Sequence, residues 1–126
     1  MTKPAVNAVT RLIKATGYSL AGLRAAYRHE QAFRQESWLL VILAPLAFYL
    51  SAENMERALL IGSWLLVMII ELLNSAIEAT VDRMGDEWHE LAGQAKDIAS
   101  AAVMLALLLA ALIWYLLVVT KFFPFT

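Results

Sequence analysis

Residues 71–82 read Glu71-Leu72-Leu73-Asn74-Ser75-Ala76-Ile77-Glu78-Ala79-Thr80-Val81-Asp82, and they continue an apolar run that begins at Ala58. Taken as a helix, Glu71, Asn74, Glu78 and Asp82 fall within an arc of about 80°, because each residue advances 100° around the axis. They make one polar stripe on an otherwise greasy rod. Glu71 lies fourteen residues beyond Arg57, about 21 Å of helix, so in a hydrocarbon layer ~30 Å thick its carboxylate is expected several ångströms below the surface. A carboxylate there costs on the order of 1–3 kcal/mol even on lenient insertion scales. Leucine would insert better, so the cost points to chemistry. A helix–helix hydrogen bond, or a side chain snorkelling to the interface, is the competing structural explanation.

Outward from this stripe the composition sets the medium. The 126 residues are 61% hydrophobic with a mean hydropathy of +0.65, against roughly 45–50% apolar residues in soluble domains. A single domain of this size cannot hide that surplus within itself, and lipid is the expected solvent. Ser37–Ala52 is uncharged and closed by Glu36 and Glu53, and Ile98–Thr120 is a second uncharged run. With 58–81 between them, the expectation is an all-α membrane protein of one domain, 1–126, with three transmembrane helices at 37–52, 58–81 and 98–120. The first run is short for a crossing, and Pro45 within it is tolerable in a lipid-facing helix.

Residues 1–35 carry six of the ten basic side chains (Lys3, Arg11, Lys14, Arg24, Arg28 and Arg34). Apolar Val6, Val9, Leu12, Ile13, Leu20, Leu23 and Tyr27 recur beside them at helical spacing, which predicts one or two amphipathic helices over 5–34, taken together as a 1–35 amphipathic surface helix in the membrane interface, with bends at Gly17 and Gly22. Charges throughout this stretch give no expectation of a cleavable leader. The basic cluster places the N-terminus in the cytoplasm. The charged segment Asp82–Asp97, expected as a loop, then shares that face. A lone three-helix unit would leave polar groups facing lipid, so an oligomer is expected.

Several function classes drop out. A net charge of −1 offers no basic field for nucleic acid. The absence of cysteine removes disulfides, thiolate metal sites and cysteine nucleophiles, and His89 without a second histidine nearby is a poor zinc ligand. Gly17-Tyr18-Ser19-Leu20-Ala21-Gly22 is followed by Leu23-Arg24 where a phosphate loop needs Lys-Ser or Lys-Thr. Trp38, Trp64, Trp88 and Trp114 read as interface anchors or packing. A polar stripe from bilayer to cytosol suits a reaction between a lipid head group and a water-soluble donor. There a buried carboxylate is the stronger base toward a hydroxyl, and an interfacial one can hold Mg²⁺. Proton or cation transport uses the same materials.

The stripe is also similar to the signature of the prokaryotic diacylglycerol kinases, E-x-L-N-S-A-I-E-x-x-V-D. The resemblance extends through Ile13-Lys14-Ala15, Gly17-Tyr18-Ser19, Gly22-Leu23-Arg24-Ala25-Ala26, Glu30, Ala32-Phe33-Arg34-Gln35-Glu36, His89-Glu90-Leu91 and Ala95-Lys96-Asp97. It implies a homotrimer in the bacterial inner membrane that transfers the ATP γ-phosphate to diacylglycerol, giving phosphatidic acid, with each site built from more than one subunit. By matching position it implies Glu71 as general base and Glu30 and Glu78 as the carboxylates that hold Mg²⁺. Arg11, Tyr18, Glu87, Trp88, His89, Lys96 and Asp97 would surround the nucleotide, and Asn74 and Ser100, with Arg11, the lipid head group. Leu20 and Tyr27 stand where some relatives carry Trp. Undecaprenol kinase is the rival within the fold; a non-enzymatic membrane subunit or a small proton-coupled transporter is the rival outside it.

Overall fold

The computed structural model describes residues 7–85, 87 and 89–124, and every regular element among them is helical. Helix α1 spans Ala8–His29, α2 Gln31–Leu50, α3 Asn54–Arg83 and α4 Glu90–Trp114. The last rod continues through one π-helical turn, Tyr115–Val119, and a final α turn, Thr120–Phe122. Two helices, Asn54–Arg83 and Glu90–Phe122, are long and apolar enough to cross a membrane. At 1.5 Å per residue, α2 measures about 30 Å and α3 about 45 Å.

Asn7 starts α1 by accepting the Thr10 amide at 2.8 Å on its side-chain oxygen, which satisfies one of the unpaired donors of the first turn. The helix then runs unbroken through Gly17 and Gly22, so the expected bends are absent. Neither glycine has any neighbour that would force the chain aside, and an isolated helical glycine costs only ~1 kcal/mol. The break falls at Glu30, a single extended residue (φ −112°, ψ 108°) that ends α1 and starts α2. Its amide donates to Ala26 O at 2.8 Å and its carbonyl accepts from Arg34 at 3.1 Å, so the corner loses little hydrogen bonding.

Other boundaries also move. Of the one or two helices expected before residue 35, one is present and ends at His29, and α2 already begins at Gln31. The expected loop 82–97 shrinks to the connection after Arg83, and Lys96 and Asp97 stand on α4. Charged side chains are good helix formers, so a helix leaving an apolar layer need not end at its first charge. Gly85, at φ 113°, takes the left-handed conformation that turns the chain after α3.

Helices α2, α3 and α4 pack in alternating directions. Ala26, Phe33 and Met68 form one buried cluster with Leu40, Trp64 and Leu72 against it. Val67, Ala106 and Ala110 form another, also flanked by Trp64. The two alanines, one turn apart, let α4 approach α3 closely. Two indoles tie the rods together: Trp64 Nε1 donates to Glu36 O at 2.9 Å and Trp114 Nε1 to Leu60 O at 3.1 Å. Large apolar side chains such as Ile98, Leu105 and Tyr49 face outward, the reverse of a water-soluble fold.

At the end away from Glu30, Arg57 caps α2. Its Nε donates to Ser51 O at 2.9 Å and its guanidinium lies 4.8 Å from the Phe48 ring, which occupies carbonyls that a helix C-terminus leaves without partners. Beside it Glu56 accepts from Ser51 Oγ at 2.6 Å and pairs with Lys121 at 2.7 Å, joining α3 to the end of the last rod.

Candidate active site

Glu71 is 7% exposed and faces the α2–α3 seam, three residues after Met68 of the core cluster. Three other carboxylates act on it or respond to it. Glu78 and Glu30 each interact with it electrostatically, and Glu71 in turn acts on Glu36. Glu78 is two turns along α3, whereas Glu30 arrives because the α1–α2 corner sits at this level. The corner residue is thus placed by the backbone break near the cluster of Ala26, Phe33 and Met68, where α1, α2 and α3 meet.

Unpaired polar atoms gather in the same place. Among the described residues, the buried side-chain atoms without a hydrogen-bond partner are Glu36 Oε1, Asn74 Oδ1 and Ser75 Oγ. Asn74 and Ser75 follow Glu71 by three and four residues, the spacing at which helical side chains are neighbours. Nearly all buried polar groups in folded proteins find partners, so three orphans around one carboxylate mark a place built to receive polar atoms from outside. Asn74 Nδ2 donates to Glu78 Oε1 at 3.1 Å, which fixes the amide and leaves its oxygen directed elsewhere.

Grooves border the stripe on three sides. A cavity of about 660 Å³ between α1 and α3 is lined by Ser19, His29, Glu30 and Ser75 among small and apolar residues. On the α4 side, a groove of about 410 Å³ is lined by Ile70, Leu73, Ile77, Ile98 and alanines, with Asn74 as its polar contribution. At the end of α3 a cleft of about 390 Å³ gathers Asp82, Glu87, His89 and Lys96 around Gly85 and Gly93. There Lys96 Nζ pairs with Asp82 Oδ1 at 2.5 Å. The hydrogen bond to Asp82, joined by the charges of Asp82 and Glu78, holds the lysine above its ordinary value of 10.5. It stays a cation at any physiological pH.

The structure therefore brings together Glu30, Glu71, Asn74 and Glu78, and it gathers Lys96, Glu87 and His89 in a separate cleft at the end of α3, where the charge of Glu78 reaches Lys96. It does not bring Arg11 to the carboxylates within one chain, and Tyr18 is exposed on α1. Arg11 is exposed and nineteen residues ahead of Glu30, about 28 Å along the helix. Asp97 and Ser100 are exposed on α4, and Trp88 lies outside the described residues. Glu36 was missed as a site residue because a charge beside an apolar run reads as its boundary. The available signal was its spacing from Phe33 and Leu40, which puts it on the buried face of α2.

Among the described residues no group of three metal-binding side chains forms. Mg²⁺ does not require one: it usually takes one or two carboxylates and completes its shell with waters and substrate phosphates. Glu30 and Glu78, both half-buried carboxylates acting on Glu71, are the hard oxygen donors such an ion takes.

A buried carboxylate in an apolar seam, with a charged cleft farther along the same helix, defines a small helical lipid kinase once the relatives are considered. The model of the family described as prokaryotic diacylglycerol kinase matches residues 17–118. Diacylglycerol kinase of Escherichia coli K12 is 52% identical over 113 residues, 90% of this chain and 93% of that protein. The Haemophilus influenzae protein of the same name is 52% identical over 84% of this chain and 90% of its own length, and the Pseudomonas aeruginosa one 55% over 82% and 85%. The chain belongs to the prokaryotic diacylglycerol kinase family and is an enzyme of that type.

Proposed function

We propose that the protein phosphorylates diacylglycerol with ATP at the cytoplasmic face of the bacterial inner membrane, giving phosphatidic acid and ADP. The observation that carries this reading is Glu71, a carboxylate buried in an apolar seam with unpaired polar atoms on either side. Glu71 accepts the proton of the lipid hydroxyl as that oxygen bonds to the γ-phosphorus and the bond to the ADP oxygen breaks. Asn74 Oδ1 orients the head group, with Arg11 and Ser100, while the apolar groove beside it is shaped for acyl chain. Lys96 balances phosphate charge in the cleft with Tyr18, Glu87, Trp88, His89 and Asp97 around the nucleotide. Glu30 and Glu78 would hold Mg²⁺ together with the nucleotide, and the ion would supply neutralisation of the phosphates and the leaving group. Phosphoryl transfer needs mainly such positioning and charge neutralisation.

Three crossings, by α2, α3 and α4, suit this reading, with α1 lying in the interface and the N-terminus cytoplasmic. A homotrimer supplies from a second copy what one chain keeps apart, Arg11 above all. The names of the relatives favour diacylglycerol over undecaprenol. The test uses purified protein in detergent with γ-labelled ATP and both lipid alcohols. Label is expected on diacylglycerol, and MgATP is expected to raise the thermal midpoint, as ligand binding to the folded state must. Label on undecaprenol alone, or on neither lipid, contradicts the reading.

A further inference from the structure

Glu36 has no role in the mechanism above, yet it is 8% exposed and its Oε1 has no hydrogen-bond partner. Its main chain is pinned from the opposite helix, by Trp64 Nε1 on its carbonyl at 2.9 Å. On α2 it lies between Phe33 and Leu40 on the face that meets Met68 and Leu72 of α3. Helical side chains lean toward their own N-terminus. Because α2 and α3 run in opposite directions, Glu36 and Glu71 lean toward each other along the seam. Two carboxylates in one dry seam cannot both hold their charge without mutual repulsion. Leucine at 36 would remove both the repulsion and the unpaired oxygen.

We propose that Glu36 is a positioning residue for Glu71: with substrate bound, the two carboxyl groups close on one shared proton, and the hydrogen bond it makes fixes the Glu71 carboxylate toward the lipid hydroxyl. During transfer the hydroxyl proton passes to the second oxygen of Glu71. The shared proton stays in the pair throughout, and Glu71 returns the transferred proton to water after the product leaves. The inference rests on the reading of Glu71 as base.

Glu36→Leu and Glu36→Gln separate this role from a structural one, in the full-length protein purified in detergent. Leu fills the seam and removes an unpaired buried group, a change that is neutral or stabilising to folding. It removes the hydrogen bond to Glu71, so kcat is expected to fall roughly 10–100-fold, the cost of a misplaced reacting group, with KM for lipid and MgATP unchanged. Gln can donate its amide hydrogen to Glu71, so it is expected to recover most of the lost kcat. Three outcomes overturn the proposal: kcat of Glu36→Leu within twofold of the parent, a Leu variant that loses thermal stability together with activity, or a rise in lipid KM at constant kcat. A parallel Glu71→Gln variant with parental turnover would instead remove the base assignment itself.

Discussion

Asn74 Nδ2 donates to Glu78 Oε1 across one turn of α3 at 3.1 Å, and the same amide keeps its oxygen buried and unpaired. One side chain thus steadies a proposed metal-holding carboxylate and presents an acceptor beside Glu71. Asn74→Leu is expected to lower kcat/KM for the lipid at least roughly 10-fold, the scale of losing one polar contact in a dry site, without unfolding the protein. Asn74→Asp is expected to be worse, since it adds a charge between two carboxylates. Steady-state kinetics against diacylglycerol measure both.

Lys96 and Asp82 bridge α3 and α4 across the cleft, but both are well exposed, and exposed pairs add little to stability. Lys96→Met is therefore expected to leave the thermal midpoint nearly unchanged while raising the KM for MgATP by roughly 10-fold, about 1.4 kcal/mol of lost binding. Equal losses in stability and nucleotide affinity would show that the lysine is a structural strut.

Trp64 touches both core clusters and reaches across to Glu36 O. Trp64→Phe keeps most of the packing and removes the donor, at an expected cost of about 1 kcal/mol; Trp64→Ala empties the junction and is expected to cost about 3–5 kcal/mol. Unfolding in mixed micelles as detergent composition is varied gives the two values and their order.

At the opposite end, hydrogen bonds from Lys121 and Ser51 hold the Glu56 carboxyl below its ordinary value of 4.5. A carboxyl depressed in the folded state contributes stability above the unfolded value and loses it as pH falls through the folded one. The thermal midpoint is thus expected to decline below pH 4.5, and less steeply in Lys121→Met. Superimposable profiles for parent and variant would remove the clasp from the account.

Much of this was legible in the sequence because lipid penalises charge. Glu71 and Glu78 stood out where leucine was the cheaper residue, and their common face followed from helical periodicity. The third and fourth helices were equally plain, being apolar over most of their length. What the same rule hid was Glu36 and the limits of α2: a charge beside an apolar run looks like an end, whereas the helix started at Gln31 and buried that charge against α3. The corner at Glu30 was invisible for a different reason. No proline or glycine marks it, and Gly17 and Gly22, which do look like breaks, are helical. Arg11 and Tyr18 were named through family resemblance, and one chain does not carry Arg11 to the carboxylates.

The most direct measurement is the rate of phosphate transfer from MgATP to diacylglycerol by Glu71→Gln, purified with its fold verified by thermal unfolding. The amide fills the same space and cannot accept the hydroxyl proton, so turnover is expected to fall by about 10²–10⁴-fold with MgATP binding retained. Transfer at the parental rate would contradict the account, because a buried carboxylate that the reaction does not need would then have no chemical reason to lie in that seam.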